Sequence, residues 1–448
     1  MHSTRLLLLG FAVAICAGGV LLALPVSSAG NAIPVIDAFF TATSAVCVTG
    51  LSVVDLGTGL SRFGQVVVLL LMQVGGIGIM TLSTMLLKMV GQRVSLSSQD
   101  VIAQRYTFSQ GGRLGTLLKQ VFLLTLFIEL SGAVLLFSAE IRRLPLEQAT
   151  WYAVFHSISA FCNAGFSLRQ DSFILYRDNV LVVMTLSVLI LMGGIGFNVL
   201  TELFSSAQRR LRSLAPAVMS LHTKLSLSMT GILLVFGMAG YAILEHRETL
   251  YAVPVADRLL ASFFASVTAR TAGFNIVNYS ALTIPTLLLT MLLMLVGGCS
   301  GSTAGGIKAN TLGVMLALAR ARYRGEEEVS LFNRTIPGAM VARATALTVF
   351  AVLVVIVASF ALIVSEIGTV QYSETRGLSL GLLFETVSAL GTVGLSTGLT
   401  AGLSFPGKLI VMILMYVGRL GPLTVAVAVS RQRSKRMIRY AEEPVMIG

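Results

Sequence analysis

Four stretches of this chain can be laid over one another, and that register constrains the fold more than any single motif does. Aligned on Gly50, Gly165, Gly273 and Gly394, which lie 115, 108 and 121 residues apart, each has a phenylalanine ten positions earlier: Phe40, Phe155, Phe263 and Phe384. Six positions before each glycine stand Ser44, Ser159, Val267 and Ser388, and two positions after it Ser52, Ser167, Asn275 and Ser396. A second landmark follows 24 to 28 residues later, around Gly75-Gly76, Gly193-Gly194, Gly297-Gly298 and Gly418-Arg419. Repetition at a fixed period signals one structural unit used four times.

The chain between these landmarks is apolar. Of 448 residues, 55% are hydrophobic and 12% charged, with a mean hydropathy of +0.86; a water-soluble protein of this length needs far more charge. Apolar runs such as Leu6–Leu24, Val66–Leu87, Val180–Gly196, Met340–Val364 and Leu409–Val429 are on the scale of the roughly 20 residues that cross a bilayer. Arg5, the run after it and Ser27-Ser28-Ala29 also suit a cleaved signal peptide. The first repeat needs that helix, so it is read as a span.

Each unit therefore reads as an apolar helix, a short amphipathic segment, a glycine loop and a second apolar helix. Three short segments follow a proline (Pro34, Pro145, Pro254) and carry an early acid (Asp37, Glu147, Asp257). Proline suits a helix start, and a carboxylate there complements the positive helix end. The negative, C-terminal end then faces the glycine loop and favours a cation. Irregular backbone at membrane depth survives only inside protein or beside water, a condition that four loops meeting on one axis satisfy.

Charge gives the orientation. With the N-terminus inside and the glycine loops outside, about twenty of the 32 basic residues fall on the inner side, in Lys88 to Lys119, Arg209 to Lys224, Arg320 to Arg343 and Arg431 to Arg439. Arg270, Lys308 and Arg419 fall within the membrane domain. Acids such as Asp55, Asp171, Asp178, Glu245 and Glu374 gather outside, where they would concentrate cations. This distribution explains the net charge of +12 without nucleic acid. Cys16, Cys47, Cys162 and Cys299 are scattered, and four histidines are too dispersed for a metal site. No Walker sequence or strand-led G-x-G-x-x-G appears, so a nucleotide site is not expected in this chain.

Four joined helix–pore-loop–helix units, one glycine per loop and "GRLGP" in the last helix resemble the Ktr/Trk/HKT superfamily of potassium transporters. "SLHTKL", "TARTAGFN" and the end "RYAEEPVMIG" are most similar to its KtrB-type membrane subunits. The resemblance covers essentially the whole chain. It implies potassium uptake, often sodium-dependent, by a homodimer in the bacterial cytoplasmic membrane, with both termini cytosolic and one pore per protomer. It also implies a cytosolic ring of nucleotide-binding KtrA-type subunits as regulator, and no bound cofactor beyond potassium as cargo and sodium as a possible activator.

By the same resemblance the filter is Val48, Thr49, Gly50 and Leu51; Asn163, Ala164, Gly165 and Phe166; Thr271, Ala272, Gly273 and Phe274; and Thr392, Val393, Gly394 and Leu395. Potassium would be held by backbone carbonyls there. Only the fourth loop has the Thr-Val-Gly order of a potassium channel. Arg270 would repel potassium if it faced the axis, so it is expected behind the filter, with Glu129 or Glu385 as partner. The run Gly297, Gly298, Cys299, Ser300, Gly301, Ser302, Thr303, Ala304, Gly305, Gly306 is too glycine-rich for a continuous helix; the resemblance makes it a gate. Lys308 at its end is either a pore-side charge or a snorkelling side chain. Arg419 replaces the second glycine of the landmark, and its guanidinium would find carbonyls on that loop.

The expected architecture is an all-α integral membrane protein with eight spanning helices in four tandem helix–pore-loop–helix repeats around one pseudo-fourfold pore. The repeats cover 1–90, 91–213, 214–325 (with the broken second helix) and 326–430, followed by a cytosolic tail, 431–448. The rival readings are a sodium-preferring or poorly selective transporter of the same superfamily, a membrane enzyme using His156, Glu129 or Arg419, and a non-conducting scaffold. The enzyme would need a convergent acid–base pair, which no motif spacing supplies.

Overall fold

The computed structural model describes residues 2–91, 114–213, 219–251, 253–371, 375 and 377–421. The expected tail, 431–448, lies outside the described residues. Fourteen α-helices fall among them: α1 (His2–Ala23), α2 (Val35–Val46), α3 (Arg62–Gly91), α4 (Leu114–Glu140), α5 (Leu146–Phe161), α6 (Val180–Ile195), α7 (Phe197–Leu211), α8 (Leu221–Leu244), α9 (Val255–Thr268), α10 (Ile284–Leu295), α11 (Ala309–Tyr323), α12 (Gly338–Glu366), α13 (Leu378–Gly391) and α14 (Phe405–Leu420). The short helices α2, α5, α9 and α13 have 12, 16, 14 and 14 residues, fewer than the roughly 20 that cross a bilayer.

Pro34, Pro145 and Pro254 stand at the N-caps of α2, α5 and α9, and Asp37, Glu147 and Asp257 lie in their first turns. Helix α13 starts instead from Gly377, at φ 86°. Phe40, Phe155 and Phe384 are fully buried, while in the third unit that place in the core falls to Phe264. Each short helix packs on the long helix before it: α2 on α1, α5 on α4, α9 on α8 and α13 on α12. Each also packs on the helix that ends the neighbouring unit: α5 on α3, α9 on α6, α13 on α10 and, closing the circle, α2 on α14. At that closure Lys408 Nζ donates to Asp37 Oδ1 at 2.6 Å.

Among the described residues three helices are individually long and apolar enough to cross a membrane: Lys119–Glu140, Leu221–Leu244 and Gly338–Glu366. A fourth crossing arises if α6 and α7, bent by 107°, count as one. That bend is a departure from expectation, because only the third unit was read as broken. It falls at Gly196, φ 99°, a backbone angle that suits glycine and ends α6. The second break, between α10 and α11, holds the run 297–306, as read from its glycines. A two-residue hairpin, β1 (Ser330–Leu331) with β2 (Arg334–Thr335), also corrects the strictly all-α expectation. Phe332 and Asn333 turn it at φ 50° and 59°, the left-handed pair that tight hairpins use.

Candidate functional site

The four glycine loops share one backbone conformation. Two positions before each glycine, Val48, Asn163, Thr271 and Thr392 have φ of 53°, 59°, 72° and 49°, and the glycines follow at 91°, 69°, 77° and 91°. Left-handed φ costs a side-chain-bearing residue on the order of 1–3 kcal/mol and persists only where its surroundings enforce it. The enforcing bonds come from the short helices. The N–H groups of Thr49, Ala164, Ala272 and Val393 turn back to the carbonyls of Ser44, Ser159, Thr268 and Ser388 at 2.8, 2.7, 3.0 and 2.9 Å. Ser44 and Ser388 add hydroxyl oxygens that accept from Gly50 and Gly394 N–H at 3.1 Å each. Ser159 and Thr268 instead donate to the carbonyls of Phe166 and Phe274 at 2.8 and 2.7 Å.

With those N–H groups turned back, the carbonyls of the same residues meet the neighbouring loops. A Cβ placed on Gly50 would strike the carbonyl oxygen of Ala164 and lie 3.0 Å from Gly165 Cα; one on Gly165 would lie 2.7 Å from Ala272 O and 3.0 Å from Gly273 Cα. One on Gly273 would strike Val393 O and lie 3.1 Å from Gly394 Cα, and one on Gly394 would strike Thr49 O, 3.0 Å from Gly50 Cα. The contacts close a ring in chain order. A side chain at any of the four positions would fill space that the next loop's carbonyl already occupies. The flanking side chains, from Val48, Thr49 and Leu51 to Thr392, Val393 and Leu395, are buried in the surrounding protein. The closest contacts between neighbouring loops at the four glycines are to backbone atoms.

The second glycine landmark explains how the short helices stay in place. A Cβ on Gly75, Gly193 or Gly418 would strike the carbonyl oxygen of Val46, Phe161 or Leu390, each four residues before its own loop glycine. Three unit-closing helices thus touch, backbone to backbone, the ends of the short helices that aim at the ring.

In the third unit the landmark opens into the run 297–306, which packs directly against two loops. Gly305 abuts the Thr392 hydroxyl, and a Cβ on Gly297 would lie 3.2 Å from Thr271 Cγ2. Cys299 and Thr303 N–H donate to Gly194 and Gly193 carbonyls at 2.8 and 3.2 Å, and Phe197 N–H donates to Gly301 O at 3.1 Å. The break at Gly196 therefore satisfies the break at 297–306. Lys308 Nζ folds back to the carbonyls of Ala304 and Gly305 and does not snorkel. Buried Arg419 donates through Nη1 to Thr303 O and through Nη2 to Gly75 O at 2.7 Å, so one side chain joins three units.

Two expectations need correction. Neither Glu129 nor Glu385 partners Arg270, which is buried beside Thr230 (Nη2 to Oγ1, 3.5 Å) and Cys299. Glu129 accepts from Gln73 Nε2 at 2.9 Å, and Glu385 is taken up by Ser396, Thr397 and Thr400. Glu245, counted among the acids of the outer mouth, is buried and caps α10. It accepts from Thr283 N–H and Oγ1 at 3.0 and 2.9 Å and from Thr249 Oγ1 at 2.8 Å. Glu366 does the same for α14, accepting from Ser404 N–H at 3.2 Å and its hydroxyl at 2.6 Å. Sequence reading gave Glu245 no capping role and did not single out Glu366. Their shared place, 28 residues before Gly273 and Gly394, was the available signal.

Apolar helices around a ring of backbone carbonyls, with the negative ends of four short helices at its wall, define a multi-pass cation-transport protein. The chain belongs to the TrkH family, described as cation transport proteins, whose sequence model matches residues 13–440. It is 37% identical to the potassium/sodium uptake protein NtpJ of Enterococcus hirae, over all of this chain and 98% of that protein. It is also 37% identical to the Ktr system potassium uptake protein B of Bacillus subtilis, over 99% of this chain and 96% of the relative. In fold it is similar to the crystal structure of the potassium transporter TrkH from Vibrio parahaemolyticus, with a TM-score of 0.74 at 19% identity, covering 96% of this chain and 84% of that one.

Proposed function

We propose that this chain is the ion-translocating subunit of a Ktr-type system and takes up potassium through one pore formed by its four loops. The observation that carries the reading is the closed ring at Gly50, Gly165, Gly273 and Gly394, with a neighbour's carbonyl against each glycine. Such carbonyls replace the water around a dehydrated cation. Eight membrane crossings in four tandem repeats surround the pore, with the loops on the outer side and both termini in the cytosol of a bacterial cell. The run 297–306, held by Arg419, is the gate; its contacts with Thr392 and Thr271, residues of two of the proposed filter loops, support this reading. Two such subunits associate in the bilayer, and a cytosolic nucleotide-binding ring, the partner that a Ktr system implies, acts on the inner face.

A sodium-preferring or poorly selective pore is the second reading, and the name of the Enterococcus relative, a potassium/sodium uptake protein, favours it. Growth of an uptake-deficient strain at limiting potassium tests the proposal, with and without a co-expressed KtrA-type subunit. Rescue that needs or is enhanced by the subunit supports it. Absent rescue by well-expressed protein, with sodium uptake intact, favours the second reading.

A further inference from the structure

We propose that His156 and Glu385 are positioning residues that hold two diagonally opposed filter loops open at the outer end, and so set discrimination between potassium and sodium. The inference rests on the potassium-pore reading. Both side chains stand nine residues before their loop glycine, and both are buried, at 2% and 0% exposure. They differ in chemistry and make the same contacts. His156 Nδ1 lies 2.8 Å from the Tyr152 carbonyl, which leaves Nε2 to accept from Leu168 N–H at 3.2 Å, with Ser167 Oγ also at 3.2 Å. Glu385 Oε1 accepts from the Ser396 hydroxyl at 2.6 Å and from Thr397 N–H at 3.0 Å, and Oε2 accepts from Thr400 Oγ1 at 2.6 Å. In each case the acceptor takes the hydroxyl side chain two positions after the glycine and the backbone N–H three positions after it.

The other two units lack this strut. At the same position Thr41 spends its hydroxyl on Asp37 O at 2.8 Å, and Phe264 has no polar atom. In the ring the second and fourth loops face each other across the first and third. The two unstrutted loops lean on the second, strutted loop. Asn275 exchanges bonds with Ser172 Oγ (3.1 Å) and Phe173 N–H (2.8 Å), and Gly57 abuts the Leu168 carbonyl. Two acceptors fixed in rigid short helices therefore brace all four loops. Bracing matters because a smaller ion is held well only if the carbonyls close in around it, and the struts oppose that contraction.

The test is potassium uptake into liposomes by the full-length protein, with sodium competing, for the parent and for His156→Leu, Glu385→Leu, His156→Gln and Glu385→Gln. The leucine variants are expected to lose about tenfold in potassium-over-sodium preference, the factor matching one lost hydrogen bond to a strong acceptor. The glutamine variants keep an acceptor oxygen and stay closer to the parent, which a merely structural role does not predict. Where Glu385→Leu fails to fold, Glu385→Thr, the residue type of the first unit, is read in its place. An unchanged preference in folded leucine or threonine variants overturns the inference, as does a glutamine series as impaired as the leucine series. A folded parent without potassium uptake overturns the proposed function and this inference together.

Discussion

Arg419 reaches Thr303 across the boundary between the fourth and third units: its Nη1 donates to the Thr303 carbonyl while Nη2 holds Gly75 O. A buried guanidinium at membrane depth is expensive unless its donors are met, and an unwound loop is where free carbonyls are available. The same cation stands next to the run that touches Thr392; under the proposed function it would resist both movement of the loop and passage of an ion beside it.

Replacing Arg419 with Ala is accordingly expected to raise potassium flux and weaken its dependence on the cytosolic subunit. Arg419→Lys should not restore control, because one ammonium cannot reproduce the planar fork that spans Thr303 and Gly75. Flux in liposomes with and without the regulator reads this directly. Unchanged gating in a well-folded Arg419→Ala protein argues that the side chain is there for packing alone.

The backbone contacts of Gly193 and Gly418 make a second expectation. Adding one methyl at either position drives it into the Phe161 or Leu390 carbonyl, neither of which can rotate away. Gly193→Ala and Gly418→Ala should each destabilise the fold by about 1–3 kcal/mol, as overpacking does, and lower Tm in detergent. Gly231→Ala and Gly240→Ala in α8 separate space from helix propensity. The first has nothing within 4 Å, while the second meets only the flexible Leu289 side chain. A Tm for Gly193→Ala no lower than these would remove the close-approach account.

Stability should also depend on acid through Glu245. Burial pushes its carboxyl up, but hydrogen bonds from Thr286, Thr283 and Thr249 outweigh that, so its pKa lies below the ordinary glutamate value. A lowered folded-state value means the cap's contribution is fully present above the unfolded pKa of about 4.3 and is lost as pH falls through the lower folded value. Glu245→Gln removes that component. A thermal-unfolding profile whose acid limb is the same in parent and Glu245→Gln contradicts the assignment.

Much of the ring was legible because it is written four times. The loop glycines and the first glycine of the landmark after each sit where backbone packs on backbone, and that constraint leaves the same residue type at every copy. Contacts that different side chains can satisfy were not legible. His156 and Glu385 do one task with unlike groups, so no shared letter marks them. The bend at Gly196 was hidden because the second landmark, "LMGGIG", reads like the first, "MQVGGIG", which continues as helix α3. What differs is the loop 297–306 beside it, a tertiary partner that takes over the hydrogen bonds the bend gives up. Arg270 was placed behind its loop, but its neighbours Thr230 and Cys299 are not carboxylates, so a search for an acidic partner does not find them.

The central claim is that the four loop glycines together form a potassium-selective filter, and ion flux through the purified protein in liposomes tests it most directly. The parent is expected to carry potassium in preference to sodium. Each of Gly50→Ser, Gly165→Ser, Gly273→Ser and Gly394→Ser is expected to lower that preference by about tenfold, a change of roughly 1.4 kcal/mol. Potassium and sodium competing equally in the parent, or a preference untouched in all four folded variants, would contradict the claim.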